Sequence, residues 1–196
     1  MEIIIHRVNK ISELRKIPKA FGIEIDIKSY KGKLVLNHEP KKNGDLLDDY
    51  LKNYNHGILI LNIKESGIED EVIKKVKRNK RIKNFFLLDV EIPYLFSCIE
   101  KKDKSCALRT SYYEPIDSIV RFKKIFNWLW IDSVKKISFT KKQKKILKNF
   151  KICFVCPERW GKPNKIEYYK KYFKKENIKV DAVMTSIKYA NKWLTN

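Results

Sequence analysis

The chain has 196 residues, 43% hydrophobic and 12% aromatic, which excludes a disordered segment and is enough for one globular domain over residues 1–196. Lys and Arg number 44 against 23 Asp and Glu, a net charge of +21, so a nucleic acid or an anionic membrane surface has to be weighed as a partner. No nucleic-acid-binding motif accompanies the charge, and many of the lysines fall in helical runs such as IKKVKRNKRIK and TKKQKKILKNF, where they form solvated outer faces.

The first apolar run, residues 3–5, ends on His6 and Arg7. A connection over residues 8–20 follows, with at most a short helix at 12–17. Residues 22–28 then alternate strictly, with Ile23, Ile25 and Ile27 on one face and Glu24, Asp26 and Lys28 on the other. The alternation sets both carboxylates on one side of a strand, roughly 7 Å apart along it. Such a pair is suited to a hard divalent cation, Mg²⁺ or Ca²⁺; the same pattern also describes the solvated face of an edge hairpin. The segment YKGK reads as a tight turn, and LVLNHEP returns as a second strand that ends at His38 and is stopped by Pro40.

Asn43-Gly44-Asp45 is a break, with Asp45 placed to cap a helix over 46–54. The run GILILNIK is an apolar strand consistent with burial on both faces. A helix over 66–81 follows, then a strand over 84–90 and a helix over 92–102 with Pro93 in its first turn, where proline is tolerated. Strands are predicted over 106–110, 128–133, 151–156 and 180–185, separated by helical segments over 117–126, 140–150 and 165–176, with a closing helix at 189–194. Cys153 and Cys156 form a single Cys-x-x-Cys inside a strand pattern, so neither a four-cysteine zinc site nor a redox pair at a helix start is indicated. Buried free cysteines suit a reducing cytoplasm, the expected location. No signal-peptide pattern and no run long enough to span a membrane is visible.

Strand and helix alternate throughout, giving eight strands apart from the hairpin return. The predicted fold class is α/β, a compact (β/α)₈ TIM barrel with a short hairpin after strand two. The rival is an open doubly wound sheet, but no glycine-rich phosphate loop follows the first strand. Barrels carry chemistry at the C-terminal ends of their strands. There the sequence offers His6, Arg7, Glu24, Asp26, His38, Asn62, Lys64, Asp89, Arg109, Asp132, Glu158 and Thr185. Cations to hold a phosphate, carboxylates to hold a metal and histidines to move protons are the parts that phosphodiester cleavage requires.

His6-Arg7 after the first strand, Glu24-Ile25-Asp26 on the second and His38-Glu39-Pro40 after a hairpin resemble the glycerophosphodiester phosphodiesterase family, within the phosphatidylinositol-phospholipase-C-like barrels. LNIK at residues 61–64 resembles the family's third strand. WLWID at 128–132 and VCPERWG at 155–161 resemble its sixth and seventh, so the resemblance covers nearly the whole chain. It implies a metal-dependent phosphodiester hydrolase in which His6 and His38 are the acid–base pair. It places the metal on Glu24, Asp26 and Asn62, and phosphate on Arg7 and Lys64. Arg109, Glu158 and Trp160 are further candidates for substrate contact, Trp160 as the one substrate-facing aromatic.

Asn62 stands where the family has a glutamate. Its carbonyl oxygen can ligate Mg²⁺ or Ca²⁺, with one negative charge fewer. Val8 replaces a glycine, the Pro-Glu-Asn-Thr-like stretch after it is missing, and the substrate loops are short. A larger phosphodiester, a lipid or a glycan-linked phosphate, is therefore expected as substrate in preference to glycerophosphocholine. Two other functions remain: a degenerate barrel that binds a phosphorylated ligand without turnover, and a basic protein of a nucleic-acid or membrane surface. No specific nucleic acid is expected; peripheral contact with anionic membrane stays open, because basic outer helices favour anionic lipid. His56, at the start of a strand, reads as structural.

Overall fold

Runs rich in isoleucine, leucine and phenylalanine become short buried strands, and the lysine-rich segments between them become amphipathic helices. The computed structural model describes residues 1–194. The chain is α/β, and its contacts divide it into two compact units. One is Ile4–Ser97; the other is Met1–Ile3 with Cys98–Asn196.

The first unit holds the residues of the carboxylate strand. β1 (Glu2–Ile5) delivers Ile4 and Ile5 parallel to β2 (Gly22–Tyr30), in register with Gly22 and Ile23. β2 outlasts β1, and β3 (Lys33–Leu36) takes over the rest of that edge in antiparallel pairing. The connecting turn has Lys31 and Gly32 both at positive φ, 49° and 73°, the geometry of a two-residue hairpin that follows the strand twist. β4 (Asp45–Leu46) adds to β3. On the other edge of β2 lies β5 (Leu59–Ile63), parallel, with Asp26 opposite Asn62; β6 (Phe85–Leu88) pairs with β5. Ile23, Ile25 and Ile27 are inaccessible, but so are Glu24 and Asp26, each 1% exposed. The polar face of β2 is therefore not the solvated side of an edge hairpin.

The second unit is a parallel sheet in the order β10 (Ala182–Thr185), β9 (Lys151–Val155), β8 (Trp128–Asp132), β7 (Ala107–Thr110). Its core centres on Phe154, whose ring lies 4.8–5.8 Å from those of Tyr169, Phe173 and Trp193. One unit thus contains parallel strands β2, β5 and β6 with Ile4 and Ile5 of β1, and the other contains the parallel strands β7 to β10. With the helices between them this is the eight-strand α/β chain order that the alternation predicts, with the hairpin after strand two.

Some predicted boundaries shift. Residues 66–68 do not join the helix, which is Glu69–Arg78, and the segment after β7 is a 3₁₀ helix, Ile116–Phe122. Thr140 forms a capping box with Gln143 at the start of Lys141–Leu147. Asp45 does not cap the helix that follows it: it belongs to β4, and its carboxylate accepts the Ile11 N–H at 2.6 Å, so it serves the short helix Ile11–Leu14 instead. All four cysteines are buried, and the Cys98 and Cys106 sulfurs lie 3.5 Å apart. His56 Nε2 donates to the Ile17 carbonyl at 3.1 Å, a structural contact between two loops. Among the described residues no helix is long and apolar enough to cross a membrane.

Candidate active site

The turn after β1 is stitched onto β2 by backbone and side chain together. Arg7 adopts φ 55°, an uncommon conformation for a residue with a Cβ. It is held there because its N–H donates to Glu24 Oε2 at 2.6 Å and the next N–H, of Val8, donates to the Glu24 carbonyl at 3.0 Å. Asn9 then pairs with Asp26 twice: its amide donates to Asp26 Oδ2 at 2.9 Å, and its oxygen accepts the Asp26 N–H at 2.8 Å. The Tyr50 hydroxyl fixes the same loop by donating to the Val8 carbonyl. Asn9 and Tyr50 are absent from the sequence prediction. Neither lies on a strand with readable alternation, and only the fold brings them to residues 17 and 42 positions away in the chain.

This stitching brings cations to the carboxylates. Arg7 Nε lies 3.5 Å from Asp26 Oδ2, and Lys64 Nζ lies between Asp26 Oδ1 (3.4 Å) and Asp89 Oδ2 (3.5 Å). Lys64 directly follows β5, and its N–H donates to the Ile27 carbonyl, so its register against Asp26 is set by the sheet. His6 Nε2 is 3.9 Å from Glu24 Oε2. His38, two residues beyond β3, has Nδ1 at 3.6 Å from Glu39 Oε1. With Arg7, Asn9, Lys10 and Asn37 it lines a groove of about 550 Å³. Gly44, also on this groove, has no room for a side chain, since a Cβ there would stand 2.1 Å from the Leu36 carbonyl oxygen.

Burial, and next the charge of Asp26, push the Glu24 carboxyl up to about 7, against donation from Asn62 and Arg7. The Asn62 amide donates to Glu24 Oε1 at 2.9 Å, leaving Asn62 Oδ1 buried without a hydrogen bond; Asp26 Oδ1 is in the same condition. The buried Asn62 Oδ1, which accepts no hydrogen bond, and Asp26 Oδ1, which meets the Lys64 ammonium only at 3.4 Å, are oxygen donors of the kind a hard divalent cation takes. Among the described residues no three His, Cys, Asp or Glu side chains cluster as a ligand set.

Arg109, Glu158 and Trp160 belong to the second unit, where they join a different network. Asp132 Oδ2 accepts from Arg109 Nη2 at 3.1 Å, and Oδ1 accepts from Trp160 Nε1 at 2.7 Å and from the Val134 N–H at 3.1 Å. Glu114 takes the Arg109 Nε at 3.0 Å. The Thr185 hydroxyl donates to Glu158 Oε1. Burial raises the pKa of Asp132, opposed first by its bond from Trp160 and then by the charge of Arg109.

The fold defines the class, an eight-strand α/β chain, and here strand two carries a carboxylate pair and is followed by a hairpin. Solved structures share the fold. One, provisionally named a glycerophosphoryl diester phosphodiesterase, from Agrobacterium tumefaciens strain C58, superposes with a TM-score of 0.65 at 9% identity, covering 98% of this chain and 96% of that one. A glycerophosphodiester phosphodiesterase from the same organism gives 0.61 at 11%, covering 94% and 95%. The fold of this chain is theirs. No family model and no curated protein matches it in sequence.

Proposed function

We propose that the groove of the first unit cleaves a phosphodiester, as glycerophosphodiester phosphodiesterases do. The observation that carries this is the buried pair Glu24 and Asp26, with His6 at its edge and the cations Arg7 and Lys64 against Asp26. Glu24, Asp26 and Asn62 would hold Mg²⁺ or Ca²⁺, which when bound neutralises charge on the phosphoryl oxygens. Arg7 and Lys64 bind and orient the phosphate. One of His6 and His38 takes the proton of the attacking hydroxyl, from the substrate or from water. The other gives a proton to the leaving alkoxide as its P–O bond breaks. Glu24 and Glu39 orient the two imidazoles. The substrate class expected is a lipid or glycan-linked phosphodiester.

The test is hydrolysis of bis-p-nitrophenyl phosphate and a panel of glycerophosphodiesters, with EDTA or with added Mg²⁺, Ca²⁺ or Mn²⁺. Metal-dependent turnover that disappears in His6→Ala and His38→Ala supports the proposal; turnover that survives both removes the acid–base assignment. A second reading, binding of a phosphorylated ligand without turnover, is favoured by one residue, the neutral Asn62 where the resembled family has a glutamate. Calorimetric binding of Ca²⁺ or glycerol phosphate by a protein inactive on the whole panel would select it.

A further inference from the structure

The loops after β7, β8 and β9 in the second unit pair their carboxylates and leave their lysines unpaired with acids. Glu114 engages Arg109 and Ser111, Asp132 engages Arg109 and Trp160, and Glu158 engages Thr185. The lysines point out. Lys135, Lys136, Lys162 and Lys165 are all exposed, and among the described residues none of the four pairs with a carboxylate. Together they rim a pocket of about 250 Å³ whose floor includes Ser133, Pro157 and Tyr169.

Tyrosines stand among these lysines in unusual exposure, Tyr112 at 59% and Tyr113 at 64%. Their rings meet edge to face at 5.1 Å, and Lys135 Nζ sits 4.5 and 4.9 Å from the two centroids. Tyr168 stacks on Tyr172 at 12° and 6.2 Å, with Lys136 and Lys165 within 6.0 Å of its centroid. A single-stranded nucleic acid needs free ring faces for its bases. Here each ring already has one side engaged by an ammonium group or a neighbouring ring, and the patch presents hydroxyl-bearing rims among positive charge. That combination suits the headgroup layer of a bilayer, where amphipathic aromatics and lysines reside.

We propose that this face of the second unit docks on an anionic phospholipid membrane, with a lipid phosphate seated among Lys136, Lys162 and Lys165 and Tyr112 and Tyr113 at headgroup depth. The assignment is independent of the phosphodiesterase reading. The full chain is sedimented with phosphatidylcholine vesicles that contain or lack phosphatidylserine. Three variants are compared: Lys136→Glu with Lys165→Glu, Tyr112→Ser with Tyr113→Ser, and a control of the same charge change in the first unit, Arg78→Glu with Lys80→Glu. Thermal melts check that each remains folded. Binding should require phosphatidylserine and weaken roughly tenfold or more in the lysine pair. It should weaken several-fold in the tyrosine pair, and stay within about threefold of wild type in the control. Equal loss in patch and control would reduce the effect to net charge and overturn the proposal. So would absence of binding to the anionic vesicles. Release of the bound protein by inorganic phosphate would assign the pocket to a free anion. Retention of a single-stranded oligonucleotide through the same lysines, in preference to vesicles, would assign it to nucleic acid.

Discussion

Each unit buries a carboxylate whose pKa is pushed up by desolvation, yet the two environments differ. Around Asp132 every side-chain oxygen has a donor: Trp160 and Val134 on Oδ1, Arg109 on Oδ2. Around Glu24 and Asp26 the pairing is looser: Arg7 and Lys64 stay 3.5 and 3.4 Å from Asp26, and Asp26 Oδ1 and Asn62 Oδ1 are buried without a hydrogen bond. A completed network holds structure together; an incomplete one stores free energy that a ligand can recover.

The largest expected effect separates the regions by activity. Asp26→Asn should lower phosphodiester turnover by about 10²-fold or more, the scale of losing a preorganised electrostatic group. Trp160→Phe, which removes the Nε1–H donor to Asp132 while keeping an aromatic ring, should leave kcat within a few-fold of wild type if the second network is structural. A loss of kcat in Trp160→Phe equal to that in Asp26→Asn would break the comparison.

Stability should divide the other way. Asp132→Ala strips partners from Arg109, Trp160 and the Val134 N–H and should cost about 2 kcal/mol in urea unfolding. Glu24→Gln should not cost stability above neutrality and should add it. The folded state keeps the Glu24 proton up to about 7, whereas the unfolded chain releases it near 4.5. Its favourable contribution is therefore complete below about 4.5 and lost as pH rises through about 7, an effect on the order of 2–3 kcal/mol in the metal-free protein. Urea midpoints of wild type and Glu24→Gln measured at pH 5 and pH 8 would show it; parallel curves would remove the raised pKa.

Added Mg²⁺ or Ca²⁺ should raise the melting temperature of wild type by binding Asp26 Oδ1 and Asn62 Oδ1, worth about 2.7 kcal/mol at a hundredfold excess over Kd. Asp26→Asn should abolish that rise and Asp132→Ala should retain it. The smallest effect is expected from Gly44→Ala. Its clash with the Leu36 carbonyl should displace the hairpin end that carries His38 and raise KM with a modest loss of stability.

The pattern of isoleucines and charges in residues 22–28 was enough to place Glu24 and Asp26 on one face of a strand, because side chains alternate with period two in any strand. The eight-strand order was equally legible, since each parallel strand needs a crossover and the chain must spell it out as apolar run, break and amphipathic helix. Periodicity says which residues share a face, not what covers that face, so it left open whether the carboxylates were solvated. Only the tertiary structure buries them at 1% exposure and sets Asn62 opposite Asp26. It alone brings Asn9, Tyr50 and Asp45 to partners 17 to 42 positions away. It also commits Arg109 and Trp160 to Asp132, and turns lysines 135, 136, 162 and 165 to one pocket. Local order follows from backbone geometry that each residue carries with it, whereas these contacts depend on chain segments meeting in space, and no short stretch of sequence encodes that.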